Sequence, residues 1–152
     1  MEDVAIVGVG QSVFSRKCGV SIRELCFEAF EEAMEGLDIT NSDIDASIVC
    51  SAPEYDKQRT PASVISEYLA LPPKPSFYVE SVCSSSSTGL RVAWSLIKAG
   101  LHKVVAVIGF QKMSELTSRE AAERMGRGGD IMWESPFGIT MPAGYAMYAR
   151  AH

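Results

Sequence analysis

The sequence predicts an α/β fold, a mostly parallel sheet with helices on both faces, and three observations carry that prediction. Short apolar, β-branched runs near residues 4–10, 44–50, 76–82 and 103–110 alternate with stretches of helical period. The helical stretches are long enough to serve as crossovers between parallel neighbours. The helices also mark their own ends, with polar caps and a proline at their starts and glycines at their exits.

Taken in order, Val4-Ala5-Ile6-Val7-Gly8-Val9-Gly10 is an apolar run closed by glycines, the pattern of a central strand with both faces covered. Gly8 and Gly10 suggest a dinucleotide-binding turn. The third glycine of that pattern is Val13, however, and no helical period begins there, so a strand ending in a tight turn is the better reading. Ser21-Ile22-Arg23-Glu24 is a capping box, followed by Leu25, Cys26, Ala29, Phe30, Ala33, Met34 and Leu37 on one face, with Gly36 at the exit. Cys26 on that stripe reads as core. Ile44 to Cys50 reads as the second strand, with Cys50 packed at its end, and Glu54 to Arg59 as a charged surface loop.

Thr60-Pro61 supplies an N-cap and a first-turn proline for a helix with Val64, Ile65, Tyr68 and Leu69 on its apolar face, and Pro72-Pro73 ends it. The strand Ser76 to Val82 then runs through Cys83 into a helix reaching Gly100, on which Leu90, Ala93, Trp94, Ile97 and Leu101 recur at helical spacing. Lys103 to Phe110 makes a fourth, strongly apolar strand. After Met113 the pattern changes. Thr117-Ser118-Arg119-Glu120 caps a short helix, and Arg124, Gly126, Arg127, Gly128 and Gly129 follow in a charged stretch. The chain is therefore read as one domain over 1–152: a βαβ core at 1–112, an excursion at 113–135, and a return helix at 136–152. That last helical period is still running at His152, the pattern of a chain that stops short.

Composition bounds the function. A chain of 152 residues, 47% hydrophobic and 22% charged, is one ordinary globular domain. Fourteen basic against nineteen acidic side chains give a net charge of −5 with no basic cluster, which argues against nucleic acid as a partner. No apolar run approaches the roughly 18 residues of a membrane span. The opening Met1-Glu2-Asp3 is acidic where a signal peptide is basic, so a cytoplasmic protein without a membrane anchor is expected. The cysteines at 18, 26, 50 and 83 have no paired C-x-x-C spacing and read as reduced thiols rather than metal ligands.

Cys83 stands out because a strand turns straight into a helix there, with only small residues around it to let another molecule approach. The first turn of a helix has N–H groups without partners and carries roughly half a positive charge, which favours a thiolate and a developing oxyanion. A helix terminus contributes about 0.3–1 kcal/mol against about 1.36 kcal/mol per pKa unit. A thiol starting near ~8.5 therefore also needs a nearby base.

Glu80-Ser81-Val82-Cys83-Ser84-Ser85-Ser86-Ser87-Thr88-Gly89-Leu90 resembles the nucleophile motif of the thiolase superfamily, in particular the branch of sterol-carrier-type thiolases and archaeal acetyl-CoA acetyltransferases. Ala5 to Gly10 is similar to the family's first strand, Asp43-Ile44-Asp45 to its lead into the second, and Gly109-Phe110-Gln111-Lys112-Met113-Ser114 to its post-strand signature. Phe137 to His152 is similar to the helix following the family's loop excursion. The resemblance implies a thiolase-like fold and an acyl-CoA C-acyltransferase activity. Cys83 would take an acyl group from coenzyme A as a thioester, with its backbone N–H helping to bind the oxyanion and no cofactor beyond the thioester substrate itself. It sets Ser84 and Ser85 beside the substrate, although the Ser84 to Thr88 run departs from the family's commoner Ala/Gly-containing version. Met113 matches a position near the active site or dimer contact, and a flexible core filler explains it equally well. Arg124 and Arg127 can meet a phosphate-bearing substrate, though solvated charges are favoured by roughly three to one.

The resemblance also implies acid/base histidines and a second cysteine from a C-terminal part that this chain does not contain. His102, in a helix-to-strand connection, and His152, the last residue, do not replace them. It implies a homodimer or higher oligomer, and for archaeal relatives an assembly with a small zinc-ribbon/OB-fold protein and hydroxymethylglutaryl-CoA synthase. Other readings are a non-catalytic acyl-CoA or lipid-binding scaffold with a structural Cys83, a subunit of a larger acyltransferase assembly, and a ketoacyl-synthase-type condensing enzyme. The last would be served by an acyl-carrier protein, which the acidic balance disfavours.

Overall fold

The structure is a computed structural model that describes residues 3–17, 19–52, 58–71 and 73–152. Cys18, the 54–57 part of the charged loop and Pro72, all used above, lie outside the described residues. The chain forms two compact units, one ending at Gln111 and the other running over Lys112–His152.

The first unit is built on a parallel three-stranded sheet in the order β2-β1-β3, formed by β1 (Ala46–Cys50), β2 (Ser76–Val79) and β3 (Val105–Gly109). Val49 of β1 sits opposite Tyr78 of β2 and Ile108 of β3. All five residues of β1 are buried, as expected of a strand hydrogen-bonded on both edges and covered on both faces. Alternation divides its side chains. Val49 and Ile108 pack with Cys26 and Phe30 of α1 (Ile22–Met34) and Ile65 of α2 (Pro61–Tyr68), whereas Ile48 and Cys50 pack with Ala93 of α3 (Ser85–Lys98). Helices therefore cover both faces, as the sequence predicts.

The capping box of α1 is present, with Ser21 N–H donating to Glu24 Oε2 at 2.6 Å and Glu24 N–H to Ser21 Oγ at 3.3 Å. Pro61 opens α2, but the Thr60 side chain makes no capping bond. Ile65 and Leu69 are buried there, whereas Tyr68 lies exposed, edge-on to Phe27 and beneath the Arg23 guanidinium. At the amino end of the sheet, Asp45 accepts the N–H groups of Lys103 (2.6 Å) and Val104 (3.0 Å). Ser47, Ser66 and Ser76 close a ring of hydroxyls at 2.7–2.9 Å. Buried hydroxyls stay satisfied in this way without reaching water.

Several expectations for the first unit need correction. Residues 4–10 form no strand, and Ile6 and Val9 are 75% and 83% exposed. Their glycines set this segment against α1 instead: a Cβ on Gly8 would run into the Ala33 carbonyl, and one on Gly10 into that of Ala29. Just beyond them, the N–H groups of Gln11 and Val13 donate to Glu32 and Glu28 of α1 rather than to a sheet neighbour. The second strand begins at Ala46, not Ile44, because a 3-10 turn at Asn41–Asp43 delays it. The strand before Cys83 stops at Val79, and just beyond it the Val82 N–H donates to the Glu80 carboxylate rather than to a sheet neighbour. Finally, α3 meets the sheet through Ser85, Gly89 and Ala93, which leaves Leu90, Trp94 and Leu101 49%, 42% and 66% exposed. Only a small residue fits beneath the helix, since a Cβ on Gly89 would collide with Cys50 Sγ.

In the second unit a 3-10 turn at Met113–Glu115 leads to α4 (Ser118–Gly126), whose capping box pairs Thr117 with Glu120. A turn at Ser135–Phe137 and the left-handed Gly138 precede α5 (Met141–Ala151), capped by Thr140. The return helix is thus shorter than 136–152, and Gly126 of α4 packs on the Ile139 carbonyl before it. Among the described residues, no helix is long and apolar enough to cross a membrane.

Candidate functional site

All three strands are parallel, so their carboxyl ends share one edge of the sheet, where functional groups of open α/β folds gather. Beyond β2 the chain makes a 3-10 turn at Val82–Ser84 and enters α3 at Ser85, with Ser84 as its N-cap position. Cys83 is the middle residue of that turn and is exposed, whereas Cys26 and Cys50 are buried. Burial pushes the Cys26 thiol up to about 12 and raises that of Cys50, which favours the protonated form of both.

Sharp backbone geometry presents Cys83. Val82 has φ +48°, a left-handed conformation that a β-branched residue resists. Polar groups hold it from both sides. The Glu80 carboxylate accepts the Val82 N–H at 2.6 Å, and the Val82 carbonyl accepts Ser85 Oγ–H at 2.7 Å together with the Ser85 N–H. Ser85 Oγ also accepts the Ser81 N–H at 2.8 Å. Ser84 Oγ donates to the Ser81 carbonyl at 2.8 Å. Ser85 is 4% exposed while Ser84 is open to solvent, so of the two serines predicted beside the substrate, one is built into the turn and the other lies on its surface.

Neighbouring strand ends brace the turn. The Ser51 carbonyl beyond β1 accepts Tyr78 Oη–H at 2.9 Å and lies 3.4 Å from Ser85 Oγ. Gln111 Nε2 donates to the Ala52 carbonyl at 3.0 Å, and a Cβ on Gly109 would come within 2.8 Å of Ser86 Oγ. Sequence reasoning found Cys83 and its serines but not Glu80, Ser51, Tyr78 or Gln111 as a connected set. The one signal available was the Ser85-Gly89-Ala93 spacing, small residues four apart that mark the face of α3 pressed to the sheet.

The other predicted residues belong to the second unit. Met113 is half-buried in its 3-10 turn, beside a buried Lys112 whose Nζ lies 3.5 Å from Glu115 Oε1. Arg124 is half-buried near the end of α4, and Arg127 is exposed with Nη2 2.9 Å from Glu123 Oε1. Hydrogen bonds from Thr117 hold the Glu120 carboxyl below its usual range, in keeping with its role in the cap. His102 stands between α3 and β3, at the amino end of the sheet and away from the edge that carries Cys83. Among the described residues, no group of three or more His, Cys, Asp or Glu is placed to hold a metal ion.

Comparison with known proteins adds three findings. Residues 4–146 match the family model described as thiolase, N-terminal domain. The whole chain is 35% identical to an acetyl-CoA acetyltransferase of Methanothermobacter thermautotrophicus and 38% identical to one of Methanocaldococcus jannaschii, and it spans 40% and 39% of their lengths. Among solved structures, the Acat5 thiolase from Ascaris suum in complex with coenzyme A superposes with a TM-score of 0.67 at 23% identity, over 76% of this chain and 32% of that one. At that identity the likeness is one of fold.

Proposed function

The chain belongs to the thiolase family, and from that premise we propose that it is the nucleophile-bearing part of an acyl-CoA C-acyltransferase in which Cys83 carries the acyl group. The observation that carries this is the setting of Cys83, an exposed thiol on a strained turn at the carboxyl edge of a parallel sheet, while Cys26 and Cys50 are sealed in the core. In the first half-reaction the Cys83 thiolate attacks the thioester carbonyl of acyl-CoA and forms a new C–S bond. The tetrahedral oxyanion is bound with the help of the backbone N–H of Cys83. It then collapses, breaks the bond to the coenzyme A sulfur, and releases coenzyme A as a thiolate that takes up a proton. The second half-reaction, condensation with another acyl-CoA, requires acid/base groups to move an α-proton. The archaeal relatives are more than twice as long as this chain, so complete turnover is proposed for the longer protein alone.

The described cysteines are free, which suits the reducing cytoplasm in which such an enzyme would work. Incubation with acetyl-CoA followed by intact-mass and peptide mapping tests the reading. An acetyl adduct on Cys83, absent from Cys83→Ala, is the expected result. Reversible binding of acetyl-CoA with no adduct would instead favour a non-catalytic acyl-CoA scaffold.

A further inference from the structure

We propose that Glu80 is a positioning residue for Cys83: by accepting the Val82 N–H, its carboxylate keeps the turn left-handed and so fixes where the thiol stands. This rests on the acyl-carrier reading of Cys83 and adds to it a side chain that does not touch the substrate.

A valine at φ +48° does not hold that conformation on its own. Left-handed backbone is unfavourable for a non-glycine residue, more so when it is β-branched, and persists only where the surroundings over-determine it. Here the surroundings divide the work between the two peptide groups of Val82. On its carbonyl side the lock is interior, with the buried Ser85 hydroxyl and the Ser85 N–H both donating to the Val82 oxygen. On its N–H side the lock is a single exposed carboxylate, Glu80 Oε1, at 2.6 Å. Bonds from an N–H to an ionised carboxylate are short and about twice as strong as neutral ones. Releasing that bond frees the peptide joining Ser81 to Val82, and the turn can relax toward the right-handed geometry of the helix that follows, moving Cys83 from the position in which it is now presented. Because Glu80 is exposed, its removal leaves no cavity, and an effect at Cys83 can be separated from a loss of fold.

The test is the site-resolved rate of iodoacetamide alkylation, read by peptide mapping, with continued protection of Cys26 and Cys50 reporting that the fold has held. Glu80→Ala should slow Cys83 by about threefold to tenfold, while Glu80→Gln, whose amide oxygen still accepts the N–H, should stay within about twofold of the native chain. Glycine occupies left-handed backbone without strain, so in a Val82→Gly background the turn stands without help, and Glu80→Ala should then change the rate by less than about twofold. That background also carries the comparison if Glu80→Ala alone loses protection of the core cysteines. A Glu80→Ala chain that reacts as fast as the native one or faster, a Glu80→Gln chain as slow as Glu80→Ala, or an undiminished loss in the glycine background would each overturn the proposal. The acyl-carrier reading is judged separately, by whether acetyl-CoA leaves an adduct on the native chain, so either can fail alone.

Discussion

At the amino end of the sheet Asp45 ties down two N–H groups of the neighbouring strand and three serine hydroxyls satisfy one another, whereas at the carboxyl end a valine is held left-handed and a cysteine faces out. Both ends use short polar contacts. At the amino end those contacts satisfy backbone N–H groups and buried hydroxyls that would otherwise go unpaired. At the carboxyl end they hold a backbone conformation that opposes stability, the expected mark of a place where geometry serves chemistry. The two ends are joined by β1, which carries Ser47 near one end and Cys50 at the other and is buried throughout. The sheet thus links an end whose polar groups are satisfied to the end beyond which Cys83 is exposed.

The largest effect that would test this contrast is thiol reactivity. Cys50 and Cys83 stand at the carboxyl ends of adjoining strands, yet one lies under Gly89 and the other on the turn. A buried thiol reacts only through opening, which for a stable domain costs roughly 5 kcal/mol or more, so Cys83 should be alkylated at least about a hundredfold faster than Cys50 or Cys26. Peptide mapping after brief iodoacetamide treatment in native buffer measures it. Equal labelling of Cys50 and Cys83 would erase the distinction between the core and the exposed turn.

A smaller effect sharpens it. Gly89→Ala adds a methyl where Cys50 Sγ already sits, 3.4 Å from Ile48 Cγ2 and Val107 Cγ1. Alanine favours a helix over glycine by about 1 kcal/mol, but overpacking a tight contact costs about 1–3 kcal/mol and should prevail here, because the colliding sulfur is short and buried. Urea denaturation should show a net loss of stability that shrinks in a Cys50→Ala background, where the methyl gains room. A Gly89→Ala chain more stable than the native one would mean that α3 does not rest on β1 as described.

Much of this architecture is legible in the sequence. Capping boxes at Ser21 and Thr117, and Pro61 at a helix start, sit where they are observed, because each signal is local, and the strands expected at Ile44 to Cys50 and Lys103 to Phe110 are present but shorter, at Ala46–Cys50 and Val105–Gly109. Residues 4–10 were not legible. Their composition matches that of the buried strands, and nothing in the run reveals that its glycines lie against α1. The face of α3 was misread for a related reason: hydrophobicity pointed to Leu90 and Trp94, while close approach to the sheet selects the small residues Ser85, Gly89 and Ala93. At the site, the cysteine was visible from its small neighbours. The hold on Val82 was not, since a positive φ at valine runs against propensity and depends on contacts from Glu80 and Ser85.

The smallest effect belongs to the amino end of the sheet. Asp45→Ala removes the acceptor of the Lys103 and Val104 N–H groups, and since water reaches that carboxylate the loss should be about 1 kcal/mol at neutral pH. Its pH dependence separates it from a packing defect. The Lys103 N–H first, and the Val104 N–H next, hold the Asp45 carboxyl below its ordinary value of 3.8. A carboxyl with a lowered folded-state pKa contributes fully above its unfolded value and loses that contribution as pH falls through the folded one. The gap between native and Asp45→Ala chains should therefore stay constant from neutral pH down to about 5 and close as the solution is acidified below 3.8. Denaturation midpoints taken across that range decide the matter: a gap that persists undiminished in acid would show that Asp45 stabilises through its bulk, and the amino end would then owe its stability to packing instead of to a charged clamp.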